Sequence, residues 1–535
     1  MTGTEPQKYN QSIPLDKRRS GVLLHITSLP GPYGNGVIGE DAYRFIDFLK
    51  DSGFSVWQTL PLGPTHGDGS PYQSLSVHAG NPQLIDLQWL VERGWLSEHD
   101  VHHCFTDVFG RSKCISIAFN AFSKQFEQSH DNKMPENKCL QGLDSDSSAS
   151  DNPASDNQSL DEQSECHNFQ RFIREQAFWL DDFALYCALK KENQQKSWVD
   201  WPEALKNREK KALDEERERL RISILFYQFE QYLFFSQWLS LKEYANKHGI
   251  YLFGDLPIFV AHDSADVWAQ RQFFKLNAEG ESEVVAGVPP DYFSETGQRW
   301  GNPHYQWDVI KNAKFSWWIE RIDTQQILFD LIRVDHFRGF ESSWEIPADE
   351  ETAINGTWVK SPGKKLLKTL YQTYPDLSLV AEDLGIITEE VNDLRKQFNL
   401  PGMKILQFAF SGESSNPYLP HNHQVNSVVY TGTHDNDTTL SWLDSLNEDE
   451  KNYIQQYFNF PYEQLNQVLM STAMASVAKL AILPMQDLMG FGEGYRMNTP
   501  GTTEGNWQWR FSWEELNEET HMLARHMNIL YGRMA

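Results

Sequence analysis

LFDLIRVD (Leu328–Asp335), read with IYLFGD (Ile250–Asp255) and LSLVAED (Leu377–Asp383), decides the fold. Each run is short, nearly continuously apolar and closed by an acid. Apolar residues at successive positions point to both faces of a strand, so such strands are covered on both sides and pair in parallel. The pattern recurs on either side, at GVLLHI (Gly21–Ile26), VWQTL (Val56–Leu60), MKILQFAF (Met403–Phe410), SVVYTG (Ser427–Gly432) and LAILPM (Leu480–Met485). Turn residues and a helical pattern follow each run. Eight such units predict an α/β fold of the (β/α)8 TIM-barrel class; an open doubly wound sheet is the alternative, and the count of eight favours closure.

A bare barrel takes about 250 residues, and this chain has 535. The excess must lie in insertions, read here as large and mostly helical, within one catalytic unit spanning 19–535 behind an N-terminal extension, 1–18. The largest insertion is 62–249. Inside it, Gln141–Glu165 is rich in Ser, Asp and Asn and nearly free of large apolar groups. Such a segment cannot offset its ordering entropy by burial and is expected to be a disordered loop.

Acidic residues outnumber basic ones, 74 to 47, for a net charge of −27. That field disfavours nucleic acid and anionic membranes as partners and is indifferent to a neutral substrate. No stretch is long and apolar enough to span a bilayer, and the first residues lack a signal-peptide core. Five scattered cysteines without a CxxC pair favour a reducing, cytoplasmic location. Aromatic residues make up 13% of the chain, including 18 Trp. Most must be core, and some are expected as flat platforms for the apolar face of a sugar ring.

Barrel enzymes carry their chemistry at the C-terminal ends of strands. There the third run ends in Asp255, the fourth in Arg333-Val334-Asp335-His336 and the fifth in Glu382-Asp383; the seventh runs into Thr433-His434-Asp435-Asn436-Asp437. One Asp at a strand end is ordinarily a helix cap. Acids at several positions around one rim suit glycoside transfer by paired carboxylates or, with His336, His434 and Asp435, a metal hydrolase. Arg333 beside those histidines and the lack of an HExxH motif weigh against a metal.

At these residues the chain resembles glycoside hydrolase family 77, the amylomaltase or disproportionating-enzyme family. The blocks are GVLLHITSLPGPYGNGVIG, SPYQSLSVHAGNP, GDLPIFVAHDSADVW, GVPPDYFSETGQRWGNPHY, IRVDHFRGFESSWEIP, VAEDLG, GTHDND and RMNTPGT, in this order. The resemblance implies a 4-α-glucanotransferase acting on α-1,4-glucans and maltooligosaccharides through two displacements, with no cofactor and no metal. It also implies no C-terminal β-domain and leaves the oligomeric state open. Asp335 then resembles the nucleophile, Glu382 the general acid/base and Asp435 the third carboxylate. Arg333 resembles the partner that keeps Asp335 ionised, Tyr72 the ring under the sugar, and Asp255 and His434 hydrogen-bonding partners of that sugar. Asp291, Tyr292, Phe293, Gln298 and Trp300 match a loop on the acceptor side, and Ser70, Asp383, Asn498 and Pro500 match further glucan contacts. Two departures, Ser411 where many members carry Asp and HGDG (His66–Gly69) where some carry an aromatic, bear on chain-length preference.

Overall fold

A computed structural model describes residues 15, 17–31, 33–105, 110–128, 157–290 and 294–534. All eight runs become strands of one closed parallel barrel: β1 (Arg19–Leu23), β2 (Val56–Gln58), β3 (Tyr251–Pro257), β4 (Leu331–Asp335), β5 (Leu379–Ala381), β6 (Gly402–Ile405), β7 (Ser427–Tyr430) and β8 (Leu480–Pro484). Each strand pairs with its neighbours in sequence, and β8 closes on β1 with Arg19 opposite Leu480. Closure excludes the open sheet. β1, β2, β5, β7 and β8 are buried along their whole length, as uninterrupted apolar runs require. MKILQFAF is strand only as far as Ile405 and then turns, over Leu406–Phe408, into a 3-10 helix.

The chain divides into two compact units, Met1–Leu84 with Trp238–Ala535, and Ile85–Gln237. The second unit is drawn from the large insertion and is helical; its core stacks Trp95, Phe122, Phe169 and Phe229, with ring centroids 4.9–5.9 Å apart. Of the expected loop Gln141–Glu165, positions 141–156 lie outside the described residues. The expectation fails for its last nine positions, which open a helix over Asn157–Glu192. Extending a helix from the amphipathic stretch that follows costs far less than nucleating one. Glu165 is also tied down: its carboxylate accepts from the Tyr232 hydroxyl and lies 3.8 Å from Arg93.

Not every insertion is helical. Val284–Val288, Gln298–Pro303, Ser342–Pro347 and Thr357–Lys360 form a four-stranded antiparallel sheet on a small core of Val285, Ile346 and Ala353. This sheet arises from the segments that follow β3 and β4, so it carries Gln298 and Trp300.

At the N-terminal end of the strands, the fully buried Arg533 closes the seam between β1 and β8. Its guanidinium donates to the carbonyls of Met474 (2.7 Å), Arg19 (2.6 Å), Ser476 (2.8 Å) and Ala478 (3.0 Å). Burial and nearby Arg18 push it down to about 9, so it remains charged near neutral pH. Removing it strands several buried acceptors at once. Arg533→Ala should lower unfolding free energy by about 3 kcal/mol in urea titration, with turnover at 25 °C unchanged, because it sits at the rim opposite the acids. A loss under about 1 kcal/mol would show that water replaces the clamp.

Candidate active site

Strand register assembles the centre of the site. Asp255 on β3 lies directly opposite Arg333 on β4, and Pro257 lies opposite Asp335. Arg333 and Asp335 are two apart and so point the same way. One buried guanidinium therefore meets two carboxylates: it donates to both oxygens of Asp255, at 2.8 and 2.7 Å, and lies 2.9 Å from Asp335 Oδ1. Arg333 and Asp255 are 4% and 2% exposed, whereas the Asp335 side chain is 29% exposed, so of the three Asp335 is the one a substrate can reach.

Glu382 follows β5, with its backbone N–H bonded to Val334 O at 3.1 Å. Its two carboxylate oxygens are held separately, Oε2 by the His336 N–H at 2.7 Å and Oε1 by the Leu384 N–H at 2.8 Å. His336 reaches this position only in the left-handed region, at φ 52°, which non-glycine residues seldom occupy and which costs of order 1–3 kcal/mol. That strain aims its N–H at the carboxylate.

The two acids titrate together. Burial pushes Asp335 up to about 8; Arg333 opposes the rise, while Asp255, Glu382 and Asp435 add to it. Burial also raises Glu382, against the pull of Arg333 and of the Leu384 and His336 N–H groups. Near neutral pH the pair thus retains a proton between its members. Arg333 acts on Asp335 in the expected direction, towards the ionised form, while burial and the neighbouring acids oppose it.

A second branch leaves Asp255. The Tyr72 hydroxyl donates to Asp255 Oδ2 at 2.7 Å and meets His434 Nε2 at 2.8 Å, with the two rings stacked at 5.2 Å and 15°. Burial lowers His434 and favours neutral imidazole. Its Nε2 lies 3.4 Å from Asp435 Oδ2. Asn498 donates to Asp435 Oδ1 at 2.6 Å, and Arg496 donates to the Asp435 carbonyl. The Asp435 side chain is 46% exposed. Ser70 accepts from the Tyr72 N–H at 3.4 Å and shapes its turn.

On the Glu382 side, the half-buried Trp300 sets its ring edge-on to His336, 4.9 Å away at 88°, and its Nε1 donates to Gln298 at 3.1 Å. Gln73 links the Tyr72 turn to this strand through Asn302 Oδ1 at 3.3 Å. Pro500 is exposed beside the Asn498 segment. Asp291, Tyr292 and Phe293 lie outside the described residues. Asp383 does not join the group. Its carboxylate is buried, accepts from the Met403 N–H at 2.7 Å and pairs with Arg395 at 3.1 Å. A Cβ at Gly402 would come within 2.2 Å of it, so the glycine there makes room for a brace. The expectation of a glucan contact at Asp383 gives way to that placement: a carboxylate engaged on both oxygens and shut from solvent is not offered to a sugar.

Sequence reasoning passed over the His336 N–H and Arg496, which the structure sets against Glu382 and the Asp435 carbonyl. Left-handed backbone at a non-glycine residue leaves no mark in composition or periodicity. Arg496 stood at the head of a quoted block, RMNTPGT, without a role.

Three comparisons bear on this geometry. The sequence model of the family described as 4-alpha-glucanotransferase matches residues 24–516. A 4-alpha-glucanotransferase of Thermus thermophilus is 46% identical over 510 residues, 94% of this chain and 96% of that one. One from Synechocystis is 44% identical over 536 residues, covering 97% and 99%. An amylomaltase from Streptococcus agalactiae, solved in complex with acarbose, superposes with a TM-score of 0.87 at 36% identity, covering 97% of this chain and 100% of that one.

Proposed function

The chain belongs to the 4-alpha-glucanotransferases of glycoside hydrolase family 77, and from that premise we propose how its carboxylates divide the work. The protein is a glucanotransferase acting on α-1,4-glucans and maltooligosaccharides. In our reading Asp335 attacks the anomeric carbon while Glu382 protonates the leaving oxygen, which gives a covalent glycosyl-enzyme. The single observation carrying this is the buried Arg333 set 2.9 Å from Asp335 Oδ1, while Glu382 rests on two backbone N–H groups. The cation favours charge on Asp335 and so leaves the proton to Glu382.

The first step turns Glu382 into a carboxylate, which the His336 and Leu384 N–H groups stand ready to receive. That carboxylate then deprotonates the 4-hydroxyl of an incoming glucan, and the second displacement restores the α-configuration. Asp435, Tyr72 and His434 grip the sugar that stays on the enzyme. We place the activity in the cytoplasm. No helix among the described residues is long and apolar enough to cross a membrane, and Cys104, Cys114 and Cys187 are free thiols, as a reducing compartment favours.

Incubation with maltotriose tests the reaction class: a ladder of longer glucans with free glucose supports transfer, and glucose with maltose alone refutes it. Asp335→Asn should keep the fold and lose roughly 10⁴-fold or more in turnover, since an amide cannot form the intermediate. Near-normal turnover in the folded variant removes Asp335 as nucleophile.

Transfer over hydrolysis requires that a sugar be bound and aligned before water attacks. Trp300 is half-buried rather than sunk in a core, and Gln298 and His336 fix its ring beside the acid/base. Stacking on the first acceptor sugar should contribute about 1–2 kcal/mol. Trp300→Ala should therefore raise the hydrolysis-to-transfer ratio on maltotriose roughly tenfold. An unchanged ratio would put the acceptor on another surface.

A further inference from the structure

Trp507 belongs to none of the motifs that led to the site, yet its backbone is strained. At φ 65° it occupies the left-handed region, where a bulky residue is a true outlier. The segment around it enforces the strain. The Trp507 N–H donates to Met497 O at 2.8 Å. Just before it, Asn506 accepts from the Thr499 N–H at 2.9 Å and donates to Thr502 O at 3.0 Å. The same segment carries Arg496 and Asn498, both bonded to Asp435.

The result of this bracing is a ring position. The indole centroid lies 6.0 Å from Tyr72, at 44°, and 6.1 Å from His434, at 36°. Three rings form a corner beside Asp435, and Trp507 is only half-buried there. Burial alone does not call for this arrangement, because a tryptophan serving a core gains its area from a relaxed backbone. Strain held in place beside a cleft points to function.

We propose that Trp507 is a wall of the subsite for the donor sugar at the point of cleavage, touching the glucose unit kept on the enzyme between the two displacements. The inference rests on the reading of Asp335 and Glu382 above. Glu382, His336 and Trp300 lie on the side of the leaving oxygen and the acceptor. Tyr72, His434 and Asp435 lie on the side of the retained sugar, and the Trp507 ring lies beside Tyr72 and His434. An indole face offers that sugar an apolar surface matched to its CH groups. Trp507 therefore acts on formation of the glycosyl-enzyme, before water and acceptor compete, whereas Trp300 acts after it.

Trp507→Asn removes the ring and keeps a residue tolerant of left-handed backbone; Trp507→Phe keeps part of the ring. With maltotriose as substrate, the Asn variant should lose roughly 3- to 12-fold in kcat/KM, the upper part of the range for one aromatic contact. Its hydrolysis-to-transfer ratio should stay within about twofold of wild type, and the Phe variant should recover most of the loss. A kcat/KM within about twofold of wild type in the Asn variant, a ratio that moves with the loss, or a Phe variant no better than Asn overturns the proposal. Should the Asn variant not fold, Phe decides: reduced kcat/KM at constant ratio supports the wall, and wild-type values refute it. Asp335→Asn assayed alongside separates the two levels. If it stays active, the reading of the carboxylates fails; if it is inactive while Trp507→Asn behaves as wild type, only the present inference fails.

Discussion

A single buried guanidinium organises the mouth of this barrel. Arg333 spans Asp255 and Asp335, and it is the cation that opposes the rise which burial and nearby acids impose on Asp335. The strand register that sets Asp255 against Arg333 is thus an electrostatic requirement as well as a feature of the sheet. From Asp255 the connection runs on through the Tyr72 hydroxyl to His434, Asp435 and Asn498. Groups from β3, β4, the turn at Tyr72, the β7 loop and the 496–507 segment are tied to one charge. A sugar entering there meets donors and acceptors already oriented, which is the condition for electrostatic stabilisation without reorganisation.

The site has two halves, and each holds one residue in a costly backbone conformation. His336 spends left-handed strain on aiming an N–H at Glu382, and Trp507 spends it on setting a ring beside Tyr72 and His434. Both positions are over-determined by neighbours. Trp300 packs edge-on against the His336 ring, and Asn506 and Met497 hold the backbone at Trp507. On the proposed reading, the Glu382 half handles the leaving group and acceptor, and the Asp435 half handles the sugar that remains.

The fold was largely legible in the sequence because its signal is repetitive. Eight apolar runs, each ended by polar residues, have few other ways to bury both faces. The antiparallel sheet bearing Trp300 was not legible. Its strands lack the continuous apolar runs of the barrel: Gln298–Pro303 reads QRWGNP, and Val284–Val288 is interrupted by Gly287, where a Cβ would meet Gln298 O at 2.1 Å. Among the acids, position in the chain told which lie at the rim but not which way they face. Glu382 and Asp383 are adjacent, yet one enters the site and the other braces β6 through the Met403 N–H. Adjacent residues at a strand end point to opposite sides, so an acidic pair there supplies one group to the cleft and one to the wall. The Arg333–Asp335 spacing correctly announced an ion pair. The net direction on Asp335 depended on burial and on Asp255 across the strand pair, neither of which the local sequence displays.

The central claim is that Asp335 and Glu382 share a proton whose loss ends catalysis, and the pH dependence of kcat/KM on maltotriose tests it most directly. Both acids are raised above the ordinary carboxylate range, and Asp335 stands at about 8. The proton is therefore held through neutrality and released on the alkaline side. The account predicts a kcat/KM that falls above about pH 8, with one ionisation on that limb. A profile that stays level to pH 10 in the stable protein, or one already falling above pH 5, would contradict it.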